Sequence, residues 1–233
     1  MLSFLCYNYC RMERKCLDYE HKRVLITAGP THEPIDPVRF IGNRSSGKMG
    51  IALALEAGDR GAKVDLVLGP TSQSCQHDNV NVFHIQTAQQ MYNQVALLFP
   101  DSNISIFAAA VADYSPKVVS EQKIKSGQDD VIISLAKTRD ILREMGSKKT
   151  RSQFVVGFAL ETENELENAT SKLHRKNMDM IVLNSLNKEG AGFQHDTNQI
   201  TIIDRDHTVT EFELKDKSDV ATDILDKIIE LQS

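Results

Sequence analysis

Residues 42–49 have the composition of an anion-binding turn, with glycine, hydroxyl and lysine side chains in the order GNRSSGKM. The stretch nearly matches the phosphate-binding pattern GxxxxGK[ST], but Met49 stands where that pattern has the hydroxyl that holds magnesium. A lysine and free backbone N–H groups at the start of a helix still favour phosphate. A simple N-cap by Ser45 or Ser46 is the alternative, and the pattern alone leaves both interpretations open.

Further charged residues occur at positions that suit ligand binding. Asp113 follows a very apolar run and is suited to Mg²⁺ or a ribose hydroxyl, or to capping a loop. Lys123 and Lys125 are separated by one residue, and Lys172 and Lys176 have the spacing that puts two side chains on one helix face. For both lysine pairs, anion binding stands against an ordinary solvated surface.

Other chemistries have less support in the residues. A GxGxxG pattern does not follow the first predicted strand, where Gly29 precedes a proline that lacks an N–H. An NAD(P)-dependent Rossmann-type oxidoreductase is therefore only the alternative. Cys6, Cys10 and Cys16 do not have the spacing of zinc-binding pairs, so we interpret them as reduced thiols, with metal binding or redox chemistry as the other possibility.

The elements that must position these residues alternate between buried strands and helices, which predicts a Rossmann-like α/β fold with a doubly wound, mostly parallel sheet. Residues 29–47 give no secondary-structure signal and predict a long loop, and residues 199–214 predict an antiparallel hairpin. Strands are predicted at residues 23–28, 63–68, 81–85, 104–110, 131–135, 154–159 and 180–183, and helices at 49–60, 87–99, 139–148, 162–175 and 217–231.

Ligands of such sheets bind beyond the carboxyl ends of the strands. Before any motif is consulted, this rule selects four loops, at residues 27–47, 108–125, 138–142 and 157–162. The candidate anion-binding turn and Asp113 lie in two of them.

The bulk composition narrows the classes of protein. The chain has 233 residues, 41% of them hydrophobic, a net charge of -5 and a pI near 5.8. These values suit one domain and argue against a general nucleic-acid binder, which carries a basic surface. The sequence has no apolar run of roughly 20 residues for a membrane span and no signal-peptide pattern, so we expect a cytoplasmic protein. Residues 1–22 are predicted to be a poorly ordered extension and residues 23–233 the domain.

Six segments, taken together and in order, resemble phosphopantothenoylcysteine synthetase. The similarity runs from about residue 23 to the C-terminus, and it is narrower still to the synthetase half of the bifunctional bacterial enzyme. We therefore expect the flavin-dependent decarboxylase domain on the same or a separate chain, and no flavin in this one. The segments are residues 26–31 (ITAGPT), 33–41 (EPIDPVRFI), 43–50 (NRSSGKMG), 108–114 (AAAVADY), 123–125 (KIK) and 156–162 (VGFALET).

The resemblance implies a ligase of coenzyme A biosynthesis. Such an enzyme activates 4'-phosphopantothenate with CTP to an acyl-cytidylate and couples it to L-cysteine, releasing CMP and pyrophosphate, with Mg²⁺ as cofactor. The forms TAGPT and SSGKMG favour the bacterial, CTP-using branch over the ATP-using one. An inactive nucleotide-binding paralogue is a further alternative. The family also implies a homodimer with a long arm, residues 29–47, that carries Arg39 and Asn43. This arm is expected to lie near the partner's nucleotide site.

The resemblance also assigns roles to individual residues. Asn43, Arg39 and Lys123 are expected to be catalytic, and Asp113 to hold the metal. The arm is expected to bind phosphate or substrate through Ser45, Ser46, Gly47 and Lys48. Nucleotide binding is expected from Phe107, Ala108, Ala109, Asp113, Lys123, Arg139, Asp140, Ile141, Leu142, Phe158, Lys172 and Lys176.

Two departures from the family pattern affect the site. Arg44 stands where a histidine is common, and Thr138-Arg139-Asp140 stands where Asn-Pro-Asp is common. Arg139 cannot reproduce the fixed backbone angle of a proline, so the contacts that this turn makes to the base are open.

Overall fold

The structure is a computed structural model that describes residues 17–125, 131–161, 163–185 and 196–233. Fourteen strands and five helices make up these parts of the chain. The strands are β1 Arg23–Ala28, β2 His32–Pro34, β3 Phe40–Gly42, β4 Lys63–Leu68, β5 Val80–His84, β6 Ile104–Phe107, β7 Tyr114–Pro116, β8 Leu135–Lys137, β9 Phe154–Glu161, β10 Met180–Ser185, β11 Thr197–Asn198, β12 Ile200–Asp204, β13 Val209–Glu211 and β14 Lys215–Asp216. The helices are α1 Lys48–Asp59, α2 Ala88–Leu98, α3 Ile141–Lys148, α4 Glu165–Arg175 and α5 Lys217–Gln232.

The main sheet has eight strands in the order β13-β12-β10-β9-β6-β1-β4-β5. Strands β10, β9, β6, β1, β4 and β5 run parallel, while β12 and β13 add an antiparallel edge. The chain begins in the middle of the sheet and builds outward in both directions. The predicted doubly wound α/β fold with a late antiparallel hairpin is therefore confirmed.

Helices cover both faces of the sheet. Because successive side chains of a strand point to opposite faces, each strand contributes to two cores. On β1, Val24 and Ile26 pack in one core with α1 and α5. Leu25, between them, packs in the second core with α2, α3 and α4. The carboxyl ends of the central strands therefore open between two helical layers.

Several predicted boundaries were wrong. The strand predicted at 104–110 ends at Phe107, where its partners in the sheet also end their pairing. The strand predicted at 131–135 lies further on, as β8, and pairs with β7 outside the main sheet. The loop predicted at 29–47 contains the hairpin β2–β3. Strands of three residues are too short to give the alternating pattern that reveals a strand.

The predicted N-terminal extension ends earlier than residue 22. Tyr19 is fully buried in the α1/α5 core, and its hydroxyl donates to the carbonyl of Leu225 at 2.8 Å. The guanidinium of Arg60 lies 5.0 Å from the centre of its ring and pairs with Asp18. Residues 1–16, with their three cysteines, lie outside the described residues.

Among the described parts of the chain, none of the helices combines the length and apolar character needed to cross a bilayer.

Candidate functional site

A cavity of about 540 Å³ lies at the carboxyl ends of β1, β6, β9 and β10, between the two helical layers. The loops selected by the sheet rule meet there, since parallel strands end at the same edge. The cavity brings together the predicted residues Asn43, Ser45, Ser46, Gly47, Lys48, Phe107, Ala108, Ala109, Asp113, Arg139, Asp140, Ile141, Leu142, Phe158, Lys172 and Lys176.

The candidate anion-binding turn begins α1 with a glycine. Gly47 is the N-cap, at φ 77°, and neither Ser45 nor Ser46 caps the helix through its side chain. The N-cap interpretation was therefore wrong, because the αL conformation at this position suits glycine rather than serine. A second glycine, Gly50, lets α1 pack closely against the sheet. A Cβ on Gly50 would lie 2.4 Å from the Cβ of Ala28, so α1 begins almost in contact with the end of β1.

Asn43 fastens the arm to the loop that follows β6. Its amide nitrogen donates to the carbonyls of Ala110, at 3.0 Å, and Val111, at 3.2 Å. The hydroxyl of Thr31 accepts from the N–H of Ala112 at 2.9 Å and adds a second link. The side chain of Asn43 thus bonds to its own chain and lines the cavity of that chain.

The wall formed by α2, α3 and α4 contains a paired carboxylate. Asp140 caps α3 by accepting from the N–H of Arg143 at 3.1 Å, and it binds Lys176 at 2.9 Å. Burial opposes ionisation of Asp140, but the hydrogen bonds from Lys176 and Arg143 outweigh it and lower the pKa of its carboxyl. The guanidinium of Arg139 lies 4.5 Å from the centre of the Tyr92 ring. The turn that departs from the family pattern is thus held by α2 and by Lys176.

On the side of the cavity formed by α1 and α5, the sequence analysis missed three lining residues, Asn184, Asn198 and Lys217. Lys48 pairs with Asp196 at 2.6 Å, and Asn198 donates to Asn184 at 2.9 Å. Lys217 is 7% exposed, and burial together with the nearby charge of Lys48 lowers the pKa of its ammonium, against the effect of Asp196. Asn184 ends β10, so the sheet rule could have selected it. Asn198 and Lys217 lie in and after the antiparallel segments, where no sequence signal pointed to the site.

Two predicted catalytic residues do not line the cavity. Arg39 lies at the end of the arm, where its guanidinium binds Asp36 and donates to the carbonyl of Ile124 at 2.8 Å. Lys123 is the exposed neighbour of Ile124. Arg39 thus contacts the backbone of the residue next to Lys123, and neither residue lines the cavity of the same chain.

Asp113 lies exposed at the rim of the cavity, and its carbonyl accepts from the N–H of Thr138 at 2.9 Å. In the described ranges, three or more His, Cys, Asp or Glu side chains do not come together as a metal site. Magnesium is commonly held by one or two carboxylates together with substrate phosphates. A single carboxylate at the rim of a cavity fits that mode of binding.

Residues 19–231 match the family model described as DNA/pantothenate metabolism flavoprotein C-terminal domain. This chain belongs to that family. The family's model covers both walls of the cavity and the arm. It begins at Tyr19, the first aromatic residue of the core.

Members of this family, and a solved structure, are similar over most of the chain. A protein named Cysteine/Cysteine sulfinic acid decarboxylase, from an unknown prokaryotic organism, is 53% identical over 90% of this chain and 58% of its own length. Coenzyme A biosynthesis bifunctional protein CoaBC of Bacillus subtilis (strain 168) is 44% identical over 91% of this chain and 52% of its own length. The chain thus spans about half the length of these curated relatives. The crystal structure of the C-terminal domain of CoaBC has a TM-score of 0.79 and 41% identity, covering 92% of this chain and 97% of that one.

Proposed function

We propose that this chain is a phosphopantothenate–cysteine ligase of coenzyme A biosynthesis. The observation that carries the proposal is the cavity at the carboxyl edge of the sheet. It gathers all the predicted nucleotide-binding residues except Lys123, from separate loops and from α3 and α4, and the turn that begins α1 lies beside them. The similarity to the C-terminal domain of a coenzyme A biosynthesis protein, at 41% identity, supports the same assignment.

The proposed reaction has two steps. First, a carboxylate oxygen of 4'-phosphopantothenate attacks the α-phosphorus of CTP, and the bond to the β-phosphate breaks to release pyrophosphate. The amine of L-cysteine then attacks the acyl carbon, CMP leaves with the electrons of the broken C–O bond, and the amine proton passes to solvent. The protein supplies no covalent nucleophile in this scheme, so its contribution is to position the reactants and stabilise charge.

The two walls have different parts in this scheme. The α2/α3/α4 wall, with Arg139 and Lys176, would hold the nucleotide together with Phe158, which lines the cavity from β9. Asp113 would hold Mg²⁺, which when bound offsets the charge of the triphosphate. The space beside the α1/α5 wall would then take the other two substrates, 4'-phosphopantothenate and L-cysteine. No flavin is needed for either step.

The decisive assay follows product formation by mass spectrometry. Purified protein is incubated with 4'-phosphopantothenate, L-cysteine and Mg²⁺, with CTP or ATP at matched concentrations. We expect the cysteine adduct, CMP and pyrophosphate, with CTP more efficient than ATP. Absence of the adduct with either nucleotide would refute the proposed function. Equal or greater efficiency with ATP would refute only the choice of nucleotide.

Release of CO₂ from cysteine is followed in parallel, because one relative is named a decarboxylase.

The alternatives differ in what they bind. A thermal shift with NADPH but none with CTP and Mg²⁺ would favour the Rossmann-type oxidoreductase. Stabilisation by CTP without turnover would favour an inactive nucleotide-binding paralogue.

A homodimer completes the proposal, because Arg39 and Lys123 lie outside the cavity of their own chain. Strand β2 of the arm packs on β7, and this part of the surface exposes a set of apolar side chains. Apolar groups clustered at a surface favour association. A second copy of the chain would cover them and bring the two cations to its own cavity. The exposed residues are Val38, Phe40, Tyr114, Val118, Val119 and Leu135.

Subunit mixing tests the shared site. Phe158→Ala, in β9, damages the cavity and Arg39→Ala damages the arm. If each site combines the cavity of one chain with the arm of the other, mixed dimers contain one intact site and regain part of the parental activity. Failure to regain activity, or a fully active monomer by light scattering at assay concentration, would refute the shared site.

A further inference from the structure

Asp36 is a buried carboxylate in the turn between β2 and β3, with only 3% of its surface exposed. A buried charge is costly unless it is hydrogen-bonded, and the bonds of Asp36 divide between its two oxygens. Oδ1 accepts from the backbone N–H groups of Val38, at 2.9 Å, and Arg39, at 2.8 Å. These two bonds serve the turn itself. The hydrogen bonds from the Arg39 side chain, more than any other cause, hold the pKa of this carboxyl far below its usual range.

The second oxygen reaches beyond the turn. Oδ2 accepts from Nε of Arg39 at 3.0 Å and from the backbone N–H of Ile124 at 3.1 Å. The Arg39 guanidinium returns a hydrogen bond to the carbonyl of Ile124 at 2.8 Å. Both backbone polar groups of Ile124 are thus held by one ion pair. We call Asp36, Arg39 and Ile124 the Asp36 clamp.

Ile124 is the residue between Lys123 and Lys125. The clamp therefore fixes the backbone that carries these two lysines to the arm that carries Arg39, across a sequence separation of 88 residues. A further backbone bond, from Ser120 to Ile35 at 3.0 Å, strengthens the same junction. The backbone that carries Lys123 and Lys125 is thus anchored beside the guanidinium of Arg39.

We propose that Asp36 is a positioning residue that holds Arg39 and Lys123 in fixed relation, so that both cations meet the same phosphate-bearing ligand. The inference rests on the proposed function, in which these two side chains offset the charge of the nucleotide. A fixed pair of cations loses less entropy on binding an anion than two independent long side chains, which each lose rotamer freedom. The carboxylate touches no substrate and acts only through its partners.

Asp36→Asn should break the hydrogen bonds of the clamp and keep those of the turn. The amide keeps one oxygen, which can still accept from Val38 and Arg39, but it replaces Oδ2 with an NH₂ that cannot accept. Glu33→Gln is the matched control. Glu33 lies in the same arm, is 4% exposed, and accepts from the N–H of Ala88 at 2.8 Å. Within the described ranges it has no hydrogen bond to residues 120–125. Both variants change one buried carboxylate to an amide.

The first measurement needs no activity. In hydrogen exchange, the amide of Ile124 should exchange faster in Asp36→Asn and in Arg39→Gln than in the parent, and at the parental rate in Glu33→Gln. Unchanged protection of Ile124 in Arg39→Gln would overturn the clamp. Because Arg39 is half exposed, that variant provides the test even if Asp36→Asn does not fold.

The second measurement is kinetic. For acyl-cytidylate formation, Asp36→Asn should lower kcat by about 100-fold, the scale of a small misplacement of reacting groups. The KM for L-cysteine should not change, and Glu33→Gln should match the parent. If Asp36 acts only through Arg39 and Lys123, adding Asp36→Asn to the double variant Arg39→Gln/Lys123→Gln should have little further effect. The proposal would be overturned if the effects of the combined substitutions multiplied, or if folded Asp36→Asn had the parental kcat. Inactivity of the parent and of Glu33→Gln alike would instead mean that the proposed function is wrong.

Discussion

Asp36 and Asp140 are both carboxylates bound to a basic side chain, but their surroundings differ. The side chain of Asp36 is fully buried, and backbone N–H groups from two segments share it with Arg39. The side chain of Asp140 is 38% exposed and pairs with Lys176 at the edge of the cavity. Asp196, the partner of Lys48 on the other wall, is 83% exposed.

The difference indicates how each region handles a ligand. An exposed ion pair contributes only about 0–1 kcal/mol, so a bound phosphate can replace the carboxylate as the lysine's partner at little cost. A buried carboxylate with several donors cannot be replaced without leaving those donors unsatisfied. The cavity therefore has exchangeable partners for its lysines, whereas the Asp36 clamp has fixed ones. Three experiments test this contrast, and they follow from the largest expected effect to the smallest.

Asn43→Asp should have the largest effect, because Asn43 links the arm to the cavity. The new carboxylate would face the carbonyl oxygens of Ala110 and Val111, and both donors would be lost. We expect kcat to fall by about 100- to 1000-fold, as for loss of an oxyanion-hole donor. Quenched-reaction mass spectrometry with CTP, 4'-phosphopantothenate and L-cysteine should show phosphopantothenoyl-cytidylate that is not passed on to cysteine.

Asn79→Asp is the control for that experiment. Asn79 also donates to a backbone carbonyl, that of Gly58 at 3.1 Å, but does not line the cavity. It should retain parental turnover. Formation of the cysteine adduct by Asn43→Asp at the parental rate would show that Asn43 has no part in the chemistry.

Lys176→Met should raise the KM for CTP by about tenfold, the equivalent of roughly 1.4 kcal/mol, through loss of one charged hydrogen bond to the nucleotide. Its stability should change by no more than about 1 kcal/mol, because its pair with Asp140 is partly exposed. Lys227→Met breaks a comparable pair, with Glu230 on α5, and should leave the KM unchanged. A large loss of melting temperature in Lys176→Met would mean that the cavity pair is structural, like the clamp.

Acid pH should separate the two carboxylates by stability alone. Each has a pKa below its ordinary value, so each binds protons more readily in the unfolded chain. Their stabilisation is complete above the unfolded value of about 4 and is lost as pH falls toward the folded pKa. Melting temperatures are compared between about pH 7 and about pH 3.

The deficit of Asp36→Asn relative to the parent should be the larger at neutral pH and should shrink as the pH falls. That of Asp140→Asn should be small throughout, because its ion pair is partly exposed. Equal deficits would show that the two carboxylates do not differ as their burial indicates.

The sequence by itself determined the alternation of strands and helices, because buried parallel strands are recognisable as short apolar runs. It also located most of the cavity, since the carboxyl ends of parallel strands must lie at one edge. Phe158 and Asp140 could therefore be placed from the sequence, whereas Lys172, on a helix, lay outside the four selected loops. Their family roles came from the resemblance of short motifs.

Only the tertiary structure decided which residues meet across long sequence separations. Asp36 appears in the sequence as one acidic residue between two prolines, yet it binds a backbone group 88 residues away. Lys217 reaches the cavity because the antiparallel edge of the sheet returns α5 to the side of α1. Local patterns record which side chains are buried along one element. They do not record which distant donors satisfy a buried charge, because that depends on how the elements pack together.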